Sequence, residues 1–232
     1  MKSQIFCGAL LSGVNSQRAV PSGEKSGELD DADRRYFQLT DMMNYFNPQF
    51  DARKYWTYGC NCLMLGELNK VWLNNILTCL LGDRPMSDPG LGPPKDALDT
   101  VCKEYKDCQK CAREAHGEFC IGEFYKYKYG KSHGEVTCKD NPNNGDESAC
   151  KRKLCECDAK FARDHVSKAH VFNTDYHLFW STLPGGWEPR DSCPRGGGGP
   201  YDPQCCGTPT TAGVLFNAAS KKCCAGTVQK EC

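Results

Sequence analysis

The sequence predicts a mainly α, disulfide-rich fold, and three observations point that way. Its 232 residues include 18 cysteines, a density that a reducing cytosol would not maintain as disulfides. Three stretches carry apolar residues at helical spacing, while alternation suited to strands is confined to one short stretch. No stretch reaches the ~20 apolar residues that a membrane-spanning helix needs. Twenty-nine basic residues balance 29 acidic ones, so no overall field points to nucleic acid or to an anionic membrane as a steady partner.

Met1 and Lys2 precede a short apolar run over 5–14, and Val14 and Ser16 are small enough for the places before a cleavage site. Residues 1–16 therefore read as a signal peptide. Residues 17–32 offer no apolar face and are expected to form a disordered lead-in. The acidic cluster of Glu28, Asp30, Asp31 and Asp33 favours the start of the next helix by charge. Over 33–46, Tyr36, Phe37, Leu39, Met42, Met43 and Phe46 share a helical face, and Pro48 ends the pattern. A second helix is predicted after Pro93 and Pro94, capped by Asp96, with Leu98, Val101, Cys102, Tyr105, Cys108 and Ala112 on one stripe. A third is predicted over 148–169, with Leu154, Cys157, Asp158, Phe161 and His165 on a similar stripe. Between them Tyr125, Tyr127 and Tyr129 alternate with Lys126 and Lys128, and 132–134 can turn the chain into 135–138, which predicts a small hairpin. Beyond Cys193 come four consecutive glycines, prolines and two cysteine doublets, Cys205 with Cys206 and Cys223 with Cys224. Residues 194–232 read as a separate tail module, too short to bury a core and reliant on disulfides for its shape.

Three separated signatures, YGCNC at 58–62, PPKDALDTVCKEYKDC at 93–108 and CKRKLCECD at 150–158, are joined by GEVTC at 134–138. Together they resemble the secretory phospholipase A2 family over roughly residues 35–193. The resemblance implies a phospholipase A2 fold over 33–193: an N-terminal helix, the start of a calcium loop, and two antiparallel disulfide-linked helices with a small hairpin. It also implies pairing of Cys62 with Cys102, Cys108 with Cys157, Cys120 with Cys150, Cys138 with Cys155, and Cys60 with a tail cysteine such as Cys193. A cysteine that the family carries just before Cys102, and its partner in the third helix, are replaced by Val101 and Asp164. Cys111, Cys205, Cys206, Cys223, Cys224 and Cys232 remain for three further bridges. Removing Cys7 with the signal peptide leaves an odd number, and discounting Cys79 restores an even one. The near-repetition of CLMLGE (62–67) as CLLGD (79–83) marks 63–80 as an inserted or retained segment, a splice or gene-model artefact. The alternative is a genuine helical insertion carrying Trp72, Leu73, Ile76 and Leu77.

The family's reaction uses a histidine as general base while calcium polarises the ester carbonyl. At those two places this chain has Tyr105 and Lys106. A phenol with an ordinary pKa of about 10 is a poor base at neutral pH. An ammonium where a dication needs oxygen ligands repels it by several kcal/mol, roughly, even at an effective dielectric near 20. Asp107, one residue on, points about 100° away. The family's glycine-rich loop is replaced by a longer segment with Pro85, Asp88, Pro89, Gly90 and Gly92. Asp158 and Tyr127 match the supporting network, whereas Gln109 stands where a tyrosine is expected. The degenerate positions are thus Tyr105 and Lys106, and the retained ones Asp158 and Tyr127. DNPNNGDE at 140–147 fails the spacing of a calcium loop and reads as a flexible tip. His116 lies too far along its helix to substitute for a base, His165 reads as a surface or capping imidazole, and His133, His170 and His177 have no placed partners.

The reading is a secreted, extracellular phospholipase A2-like protein without hydrolytic chemistry, acting as a binding or matrix protein with no cofactor expected. Its partner is an unidentified extracellular molecule or a phospholipid surface. Two alternatives stand beside it. One is a calcium-dependent phospholipase A2 that hydrolyses the sn-2 ester of phospholipids. The other is a membrane-active, toxin-like protein without hydrolysis, in which the first helix and Lys126, Lys128 and Lys131 touch lipid.

Overall fold

The structure, a computed structural model, describes residues 31–55, 57–62, 92–121, 125–140, 145–193, 199–208 and 210–232. The signal peptide expected at 1–16, all but the end of the lead-in, the segment 63–80 with Cys79, and residues 141–144 of the acidic tip lie outside the described residues.

Helix α1 spans Asp31–Phe46 and ends just before Pro48. It starts two residues earlier than the apolar pattern suggests, with acidic residues where the helix dipole favours them. Leu39, Met42 and Met43 are buried, but Phe37, expected on the same apolar face, is 54% exposed. Helix α2 spans Ala97–His116, and the Asp96 carboxylate caps it by accepting the Asp99 N–H. Helix α3 spans Gly145–Lys168, with Asp146 and Glu147 in its first turn. It begins before the expected Ser148 because these acids suit a helix start, and Glu147 pairs with Lys151 one turn on.

The pairing of α2 with α3 is antiparallel. Contacts run in opposite senses along the two helices: Glu104 meets Lys160, Tyr105 meets Asp158, and Cys108 bonds to Cys157. Both helices turn their apolar stripes inward, and α1 packs on α3 to complete a core of Leu39, Met42, Met43, Leu98, Ala112, Leu154, Phe161 and Ala162. The hairpin pairs β1 (Tyr129–Ser132) with β2 (Glu135–Cys138). His133 and Gly134 make the turn with φ of 51° and 78°, a two-residue geometry whose left-handed backbone follows strand twist. Upstream, Tyr127 points into the core and Lys126 and Lys128 point to solvent.

Among the described residues, sixteen cysteines form eight disulfides and none is free. Cys62 is bonded to Cys102, Cys108 to Cys157, Cys120 to Cys150, Cys138 to Cys155 and Cys60 to Cys193. The remaining six join as Cys111 with Cys205, Cys206 with Cys223 and Cys224 with Cys232. Near Val101 and Asp164, Lys160 Nζ bridges Glu104 Oε2 at 2.6 Å and Asp164 Oδ2 at 2.5 Å. A cavity of about 10 Å³ remains beside them, room for one water at most.

The tail forms two hairpins, β3 (Pro203–Cys206) with β4 (Val214–Asn217), and β5 (Lys222–Cys224) with β6 (Thr227–Gln229). Within each doublet the first cysteine bonds backward along the chain and the second bonds forward. The tail is seated on the helix pair. Cys205 bonds to α2, and a Cβ on Gly213 would lie 2.6 Å from the Cys111 Cβ. The buried Lys153 of α3 donates to Thr208 O at 2.9 Å and Thr211 O at 2.5 Å. Replacing that ammonium leaves two carbonyls without their partner, and Lys153→Met is expected to cost about 1–3 kcal/mol. The check is urea unfolding, together with faster protease cleavage in the 207–213 loop than in the parent protein.

Candidate functional site

The chemistry that the sequence singles out converges between α2, α3 and the strand leading into β1. Tyr105 lies on the α2 face turned to α3, and its hydroxyl donates to Asp158 Oδ1 at 2.8 Å. Tyr127 donates to the other oxygen, Oδ2, at 2.5 Å. The carboxylate is fully buried, with both oxygens occupied by phenols. Phe161 lies against the Tyr105 ring, centroids 4.4 Å apart. Gln38 of α1 fixes the second phenol by bonding the Tyr127 backbone on both sides, Nε2 to the carbonyl at 2.7 Å and Oε1 from the N–H at 3.3 Å. Gln109 does not join the network, and its buried amide nitrogen has no hydrogen-bond acceptor.

Lys106 follows Tyr105 on α2 and is partly buried. Burial pushes its ammonium down to about 8, against the pull of Asp99 and Asp107. Asp107 is itself held by Lys103 Nζ at 2.5 Å. Of the longer segment expected in place of a glycine-rich loop, Pro85, Asp88, Pro89 and Gly90 lie outside the described residues, and Gly92 is inside them.

Two aspartates frame this cleft, one of them missed in the sequence and the other expected there only as a helix cap. Asp99, one turn into α2, is fully buried and accepts three backbone N–H groups: Cys60 at 2.9 Å, Asn61 at 2.7 Å and Lys95 at 2.8 Å. Burial pushes its carboxyl pKa up, while the N–H groups of Cys60, Lys95 and Asn61 pull it back down. The loop crosses so close that a Cβ on Gly59 would lie 2.4 Å from the Asp99 Cγ, at a left-handed φ of 60°, which accounts for glycine there. The second is Asp96, which receives the Tyr58 hydroxyl as well as capping α2, while Tyr58 accepts the Asn173 N–H at 3.1 Å. An aspartate three residues after a cap, in a first helical turn, was the available signal for Asp99.

His165 is neither a surface nor a capping imidazole; it is 1% exposed and walled by aromatic rings. The apolar stripe of α3 continues through it, so burial follows from the helical period. His177 does have partners: it is buried, accepts the Phe179 N–H on Nδ1 at 3.1 Å and stacks on Trp180 at 4.4 Å. Neither reaches Asp158 with a hydrogen bond. Of the lysines considered for lipid, Lys131 is paired with Asp41 at 2.8 Å. At 140–147, Asp140 pairs with Arg152, and Asp146 and Glu147 belong to the first turn of α3. Among the described residues no group of three or more His, Cys, Asp or Glu side chains is arranged to hold a metal.

Asp99→Asn removes the negative charge that three N–H groups share and is expected to destabilise the protein by about 2–4 kcal/mol. Chemical denaturation measures it, and accelerated hydrogen exchange at the Cys60 and Asn61 amides locates it.

No protein-family model matches the chain. Similar proteins include a group IID secretory phospholipase A2 of Mus musculus, 26% identical over 180 residues, which are 78% of this chain and 92% of that protein. Acidic phospholipase A2 5 of Naja sagittifera is 33% identical over 100 residues, 39% of this chain and 74% of that one. Basic phospholipase A2 homolog 2 of Bothrops asper is 26% identical over 147 residues, 63% and 82% of the two chains. No described helix is long and apolar enough to cross a membrane. The stapled antiparallel helices, the buried Asp158 between its phenols and these likenesses have one common explanation: the chain belongs to the secretory phospholipase A2 family.

Proposed function

We propose that this phospholipase A2-like protein is secreted, does not hydrolyse phospholipid, and acts outside the cell as a binding or matrix protein. The observation that carries this reading is the Tyr105 hydroxyl on Asp158. A general base at that place must accept a proton from water, yet the Tyr105 oxygen is committed as a donor to a buried carboxylate. Removing its proton would set two anions within hydrogen-bond distance in a desolvated site, an arrangement that costs several kcal/mol, roughly.

Calcium does not fit the neighbouring donor set. The residue after the phenol supplies an ammonium, and the nearby carboxylates Asp99 and Asp107 are engaged by backbone N–H groups and by Lys103. Hard cations need six or more oxygen ligands, and a resident positive charge opposes their entry. No step of ester hydrolysis is therefore assigned to this cleft, and the scaffold is left to present its surface and its stapled tail.

Purified protein mixed with phosphatidylcholine and phosphatidylglycerol vesicles is expected to release no fatty acid at millimolar calcium, and calorimetry is expected to show no calcium heat. Turnover that a chelator abolishes would overturn the proposal. Vesicle leakage without fatty acid release would move the assignment to a membrane-active protein instead.

A further inference from the structure

We propose that His165 is a proton-operated latch: neutral, it holds the segment 47–55 against α3, and protonated, it releases that segment. The imidazole is 1% exposed and neither ring nitrogen has a hydrogen-bond partner. Its surroundings are rings. Tyr55 meets it edge-on at 4.2 Å between centroids, Phe50 at 5.6 Å, and Phe161 lies at 5.5 Å. Tyr55 and Phe50 are themselves stacked at 5.7 Å, so the latch grips the segment by two rings at once.

A proton on this ring would create a cation with no acceptor for either N–H. The charged groups on the packed elements do not supply one. On the segment, Asp51 is bound to Arg53, and Lys54 repels a second cation. On α3, Asp158 receives two phenols and Asp164 holds Lys160; Arg163 pairs with Glu135, and Lys168 is a cation. On α1, Asp41 is committed to Tyr129 and Lys131, and His170 beyond α3 is exposed. Burial first, and Lys54 second, push the ring down to about 4 from the ordinary 6.5.

The sign follows from that depression. The closed form excludes the proton that the open form binds, so closure is complete above pH 6.5 and weakens as pH falls toward 4. The opened fraction is expected to rise about 30-fold between pH 7.5 and pH 5. Opening is bounded on one side by Met43 in the core and on the other by the Cys60 and Cys62 bridges, which makes it local.

The test is hydrogen exchange, read as protection factors at the Phe50, Lys54 and Tyr58 amides, whose bonds close the segment's turns. In the wild-type protein their protection is expected to fall about 30-fold from pH 7.5 to 5, with amides of central α2 unchanged. His165→Phe keeps an aromatic wall without a basic nitrogen and is expected to flatten the profile, as is His165→Leu. A flat wild-type profile overturns the proposal, whatever the variants do, and so does an equal fall in wild type and either variant.

Discussion

Asp158 sits fully buried on α3 with a phenol on each oxygen, and the arrangement of the molecule turns on keeping it satisfied. An isolated carboxylate taken from water is among the most costly groups a fold can bury, so its partners have to be fixed in place. Tyr105 comes from α2, which the Cys108–Cys157 bridge clamps at that level. Tyr127 comes from the chain before the hairpin and is held by Gln38 of α1. One carboxylate thereby ties together all three long helices.

Much of this was legible in the residues because it follows from spacing. Helical periodicity located α1, α2 and α3 to within a few residues, and the pairing of His133 with Gly134 marks the hairpin turn. The Tyr105–Asp158 contact follows from matching both helices to one family motif. Asp99 was harder to see, since its role depends on where a distant loop passes, and nothing local says that the Cys60 and Asn61 amides will meet it. His165 was misjudged because residue type was weighed above position: the stripe places it inside, whatever its polarity. The seat of the tail was hidden for a similar reason. Lys153 reads as a solvent lysine until Thr208 and Thr211 are folded over it.

The phenols on Asp158 have a counterpart in the ionic contacts between the same two helices. Near Val101 and Asp164, a lysine between two carboxylates spans the helices, a tie weak and salt-sensitive by comparison with a disulfide, which is worth about 2–4 kcal/mol. The tail adds covalent joints elsewhere, above all the Cys111–Cys205 link to α2.

The backward-and-forward order of bonding in the tail also decides how the chain carries mechanical tension. A pull applied at Cys232 passes to Cys224, from Cys223 to Cys206, and from Cys205 into α2 at Cys111. The chain between Cys206 and Cys223, and between Cys224 and Cys232, runs parallel to a disulfide and bears little of the load. A tail linked this way stretches little before it transmits force to the helices.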